Sequence, residues 1–134
     1  MPISGGAMTT VIYPIILHPE RGGGYSVEVP DIAGGSWTQG ETLGECIEMA
    51  QDLIGTVLQT EEEFPEPTAF EDLSLKDGDI PALASVDVDE FRKLHSTTVR
   101  KNVSIPEYLV VLGNKRQINF SATLTAALKR ELGV

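Results

Sequence analysis

Ser36-Trp37-Thr38-Gln39-Gly40-Glu41-Thr42-Leu43-Gly44-Glu45 decides the fold of this chain, because within it the pattern changes from a strand to a helix. Ser36 to Gln39 reads as a short strand. Thr42 then stands as an N-cap with Glu45 three residues on. That is the spacing of a capping box, in which each side chain satisfies a backbone donor at the other residue. Beyond it Leu43, Ile47, Ala50, Ile54, Val57 and Leu58 recur at helical spacing, while Glu45, Glu48, Gln51 and Asp52 face elsewhere. One amphipathic helix is predicted, lying over one face of a sheet.

The sheet is read upstream of that helix. Thr10 to Leu17 is β-branched and aromatic, Gly22-Gly23-Gly24 turns the chain, and Tyr25, Val27 and Val29 share one face of the next strand. This is a β-hairpin. Pro14 has no N–H for a ladder, so the first strand is expected to be an edge or bulged there. Pro30-Asp31 and Gly34-Gly35 lead into the third strand. Downstream, Glu61-Glu62-Glu63-Phe64-Pro65-Glu66-Pro67 ends the helix, and an acidic stretch punctuated by glycine and proline reads as a solvated loop to Pro81. Ala82 to Val88 has strand character and Asp89 to His95 reads as a short exit helix, giving a β-β-β-α-β unit.

Charge divides the chain at the same place. Residues 1 to 90 hold 18 of the 20 acidic side chains against Arg21 and Lys76, a balance of −16. Residues 91 to 134 hold eight bases against Glu107 and Glu131, a balance of +6. Such asymmetry implies two modules with partners of opposite charge: a basic tail seeks phosphate, and an acidic body a basic protein. The 134 residues suffice for one modest core plus a small appendage. The organisation expected is a flexible leader over 1–8 with Met8 a candidate native start, a domain over 9–95, and a second over 96–134.

No apolar run approaches the roughly 20 residues that span a bilayer. The N-terminus lacks the pattern of a secretion signal. The single cysteine, Cys46, leaves no intramolecular disulfide and is expected as a small buried residue in a reducing cytoplasm. Neither a cofactor nor a metal site is expected.

The last module has its own pattern. In Arg100-Lys101-Asn102-Val103-Ser104-Ile105, Val103 and Ile105 share one face of a strand, and Arg100, Asn102 and Ser104 the other. A slip of one residue would bury Asn102 and leave its amide unsatisfied. Pro106 suits the first turn of a helix carrying Tyr108, Leu109 and Leu112, expected to give way near Gly113-Asn114. Asn119 can cap a second helix with Phe120, Leu124, Ala127, Leu128 and Leu132 in a stripe. One strand and two short helices cannot close a core alone. A dimer in which two strands pair is therefore expected.

These residues resemble a ribbon-helix-helix DNA-binding domain. The resemblance implies that paired strands enter the major groove, with Arg100, Asn102 and Ser104 reading bases, and that a phosphate sits on the amides opening the second helix at Asn119, Phe120 and Ser121. Lys115 and Arg116, between the helices, are phosphate contacts or ordinary surface charges. The N-terminal part resembles the HicB antitoxin domain, a partial ribonuclease-H-like sheet and helix. That likeness rests on Tyr13-Pro14-Ile15-Ile16, the glycine hairpin, Tyr25 to Gly34, Thr38 to Thr42 and the helix after it. The fold class expected is thus α+β, a partial RNase-H-like β-β-β-α-β domain followed by a ribbon-helix-helix.

The resemblance implies a bacterial type II antitoxin in the cytoplasm. It would neutralise HicA, a small basic RNA-cleaving toxin with a catalytic histidine, and repress the shared promoter by binding double-stranded operator DNA as a homodimer. Association of dimers into tetramers is left open. Glu45, Glu48 and Asp52, on the exposed side of the helix, are the candidate toxin-binding residues. The alternative is a stand-alone ribbon-helix-helix regulator whose N-terminal domain senses a ligand or oligomerises.

Enzymatic readings find less support. The carboxylates sit in turns, on the solvated helix face or in the Glu61–Glu63 run, rather than converging as a two-metal nuclease needs. His18 and His95 lack a triad partner and read as surface or loop histidines. No Lys-Ser or Lys-Thr follows Gly22-Gly23-Gly24, so it is a hairpin turn and not a phosphate loop. Trp37 is a sheet-packing residue or a partner anchor, with packing favoured.

Overall fold

The computed structural model describes residues 10–134; the expected leader, residues 1–8, lies outside them. The chain divides into two compact units, Met1–Ser96 and Thr97–Val134.

In the first unit the strands are β1 (Thr10–Pro19), β2 (Tyr25–Val29), β3 (Ser36–Gly40) and β4 (Ile80–Asp87). They form one antiparallel sheet in the order β3-β2-β1-β4. Helix α1 (Leu43–Leu58) lies between β3 and β4 in sequence, and α2 (Val88–His95) follows β4 without a break. The fold is α+β, as the alternating and helical patterns require.

Period-2 alternation places the core. Tyr13, Ile15 and Leu17 of β1, Val27 and Val29 of β2, and Ala84 and Val86 of β4 are buried with Cys46, Ala50, Ile54 and Leu58 of α1. Each fully buried aliphatic side chain of this kind contributes roughly 1.5–3 kcal/mol relative to exposure. Gly40 admits α1 closely: a Cβ there would lie 2.8 Å from the backbone nitrogen of Cys46.

The start of α1 follows the sequence with one difference. The Glu45 amide donates to Thr42 Oγ1 at 3.1 Å, but the Glu45 carboxylate accepts from the amide of Glu41, at 3.0 Å, rather than from that of Thr42. At the other end, Arg92 of α2 donates from Nε to the Gln59 carbonyl and from Nη2 to the Glu61 carbonyl, both at 2.9 Å. Two carbonyls beyond the last turn thus gain a cationic partner, as helix ends require.

At Pro14 β1 is an edge, as expected: β4 pairs with Thr10–Leu17 but β2 only with Ile16–Pro19, so only β4 is alongside there. Another expectation needs correction. The stretch from Glu61 to Pro81 is more than a solvated loop. Phe64 packs against the core, the Tyr13 hydroxyl donates to the Pro65 carbonyl at 2.7 Å, and the amide and hydroxyl of Thr68 donate to Asp31. A single 3-10 turn forms at Phe70–Asp72.

The second unit contains α3 (Glu107–Lys115) and α4 (Phe120–Leu132). The strand expected over 100–105 is not formed: residues 96–106 carry neither helix nor strand. A strand is held by a ladder, and among the described residues nothing pairs with this segment. Helix α3 also runs past the expected stop at Gly113-Asn114. Gly113 is buried inside it, and a Cβ there would lie 2.6 Å from Phe120 Cζ. The helix ends instead at Lys115, with Arg116 as its C-cap; Gln117 follows with φ 57°, and the Ile118 amide donates back to the Gly113 carbonyl at 2.9 Å.

Candidate functional site

On α1 the three candidate carboxylates have different surroundings. Glu48 and Asp52 are exposed on the side turned from the sheet, whereas Glu45, also exposed, is engaged by the Glu41 amide at the helix start. The acidic stripe available to a partner therefore centres on Glu48 and Asp52.

The opposite face of the sheet holds a cluster that the sequence did not announce. Even-numbered residues of β1 point there, so His18 faces away from α1. Its Nδ1 lies 2.7 Å from Asp79 Oδ1 and its Nε2 3.0 Å from Glu28 Oε1. Both nitrogens can donate when the ring carries two protons, and only one when it carries a single proton. Trp37, cross-strand from Glu28, stacks on His18 with ring centroids 5.2 Å apart. The indole is nevertheless 57% exposed, so the expectation that it packs in the sheet is met only on its His18 side. Counting from the glycine turn would place His18 diagonal to Glu28, but Asp79 comes from 61 residues away and nothing local marks it.

Titration in this unit follows from contacts. The Lys76 amide, donating to Asp79 Oδ2 at 2.8 Å, holds that carboxyl below the usual 3.8, and His18 adds to the effect. Burial pushes the Cys46 thiol up, with Glu45 and Glu41 reinforcing it. Burial likewise raises the Tyr13 phenol, helped by Asp31 and Glu66. Fully buried as well, Cys46 fits a packing role. Among the described residues no group of three or more His, Cys, Asp or Glu is placed to hold a metal ion, and no helix is long and apolar enough to cross a membrane.

In the second unit Arg100, Asn102 and Ser104 are exposed, and so are Val103 and Ile105, which the alternation would turn inward. Lys115 in the last turn of α3 and Arg116 just after it stand across a short turn from the start of α4. There Asn119 accepts from the Ala122 amide at 3.0 Å, as an N-cap does. Phe120 and Ser121 open the helix, where amides have no intrahelical acceptor. The two cations thus precede that helix start by four and five residues in the chain. Tyr108 is 64% exposed, Leu112 52% and Leu128 50%, and α4 buries none of its residues. Among the described residues the apolar stripes of α3 and α4 are thus largely exposed.

Comparison with known proteins gives a consistent result. The model of a HicB-like antitoxin of bacterial toxin-antitoxin systems matches residues 13–122. The crystal structure of the antitoxin HicB of Burkholderia pseudomallei is similar at 31% identity, covering 88% of this chain and 96% of that one, with a TM-score of 0.49. No curated protein sequence matches.

Proposed function

The chain belongs to the HicB-like antitoxin family of bacterial toxin-antitoxin systems, and on that premise we propose that it neutralises a HicA-type toxin through its first unit and represses its own operon through its second. The observation that carries this division is that the charge reverses within a few residues of the boundary between the two units. The first unit, residues 1–96, has a balance of −14, and residues 97–134 one of +4. An acidic body attracts a basic RNA-cleaving protein and repels RNA, and a basic tail attracts DNA. The chain acts by binding, not catalysis, and works in the cytoplasm.

The second unit is a ribbon-helix-helix. Two copies pair their 100–105 segments as a ribbon, which supplies the missing ladder and turns Val103 and Ile105 into a shared core with the exposed stripes of α3 and α4. Asn102 then faces a major groove together with Arg100 and Ser104. Phosphates lie against the α4 start at Asn119, Phe120 and Ser121, near Lys115 and Arg116. In the first unit, sheet order β3-β2-β1-β4 with one helix on a face suits a partial RNase-H-like domain, and Glu48 and Asp52 steer the toxin's approach.

The test is growth of cells expressing the small basic protein encoded beside this gene, with and without this chain. Toxicity relieved by co-expression, with the two proteins co-purifying, is the expected result. A harmless neighbour that does not bind would leave a stand-alone regulator as the better account.

A further inference from the structure

We propose that the toxin seats on the face of the sheet turned away from α1, with Trp37 as its anchor and Glu28 as the acceptor for an arginine of the toxin; the assignment rests on the antitoxin reading above. A four-stranded sheet has two faces, and α1 covers one. On the other, Ile12, Trp37 and Leu83 are 51%, 57% and 54% exposed. Pro14 and Ile16, in the middle of that face, are buried, so the exposure lies to either side of them, with Trp37 at the β3 edge.

Trp37 is prepared for a partner. His18 covers one side of the indole and is itself held between Asp79 and Glu28, so the ring is fixed before anything binds. Fixing an anchor in advance removes part of the ordering cost of association. The open side of an indole accepts a guanidinium by stacking, and the Glu28 carboxylate is cross-strand from Trp37 to take its N–H groups. Tryptophan and arginine are the side chains that most often dominate interface energies.

Charge selects the occupant. A second copy of this unit would bring another −14 against the first, and a nucleic acid would bring phosphate to Glu28 and Asp79. A basic protein brings the complementary sign. The carboxylates Glu48 and Asp52 act at longer range, on the rate of encounter, whereas the sheet face sets how long the complex lasts.

The experiment measures binding of the toxin co-purified with the full chain to wild type, Trp37→Ala and Gln39→Arg, the last placing a cation on the same exposed face of β3. Trp37→Ala is expected to weaken the toxin complex about 30-fold, the size a hot-spot residue carries, mainly through faster dissociation. Gln39→Arg is expected to weaken it as well, with operator binding unchanged in both. Wild-type toxin affinity in the two variants would overturn the assignment and leave the antitoxin reading intact. Loss of an oligomer without loss of toxin affinity would also overturn it, showing that the face holds a second copy. A folded wild-type chain that does not bind the toxin would overturn both readings.

Discussion

The ring of Phe91 occupies the space that a side chain at Gly55 would fill, so α2 meets the backbone of α1 directly. Alanine is the better helix former by roughly 1 kcal/mol. Here that gain is outweighed, because a methyl group must displace a ring backed by the core, and overpacking of this kind costs about 1–3 kcal/mol. Gly55→Ala is expected to lower the urea midpoint. A raised midpoint would mean that α2 is free to move aside.

Asp79→Asn is expected to destabilise the first unit in a pH-dependent way. The folded-state pKa of Asp79 is lowered, first by the Lys76 amide and then by His18. A lowered carboxylate favours folding fully above its ordinary value of 3.8, and that contribution is lost as pH falls through the folded-state value. The gap in urea midpoint between wild type and variant should therefore be open at neutral pH and close in acid. A gap that persists unchanged far below 3.8 would assign the effect to something other than the charge.

Gly113→Ala tests the junction of α3 and α4. The added methyl would lie 2.6 Å from Phe120 Cζ, pushing that ring aside and tilting the first turn of α4, where phosphate is proposed to sit. Operator affinity is expected to drop about tenfold or more with toxin binding retained, the cost being again about 1–3 kcal/mol of misfit. Unchanged affinity in a gel-shift titration would detach that helix start from DNA.

Asn102→Ala should weaken operator binding by about 1–3 kcal/mol, the discrimination carried by one good side-chain pair with a base, and leave toxin binding untouched. Binding of the wild type should also fall steeply with added salt, as phosphate contacts release counterions. Equal loss of toxin and operator binding in the variant would argue against separate modules.

Local signals were readable in the sequence and distant pairings were not. Thr42 with Glu45 marked the start of α1, and Asn119 that of α4, because a cap is a matter of three residues. The alternation in β1 and β2 marked the core. By contrast, Gly113 looked like a helix stop because glycine usually is one; its actual use, to admit Phe120, depends on a contact beyond the turn. The Asp31–Thr68 and His18–Asp79 pairs join segments 37 and 61 residues apart, and no periodicity reports such closures. The segment 100–105 has the alternation of a strand and, among the described residues, no ladder.

Pro14 carries one more consequence. It sits opposite Leu83 of β4, and among the described residues no strand flanks its other side, because the β2 ladder begins only at Ile16. As a proline it has no N–H to give to either side of the strand. A strand edge is a template on which another chain can stack. Pro14 is itself buried, and lacking an N–H it leaves no unpaired donor where the β2 ladder stops, so this part of the edge offers a stray strand less to pair with.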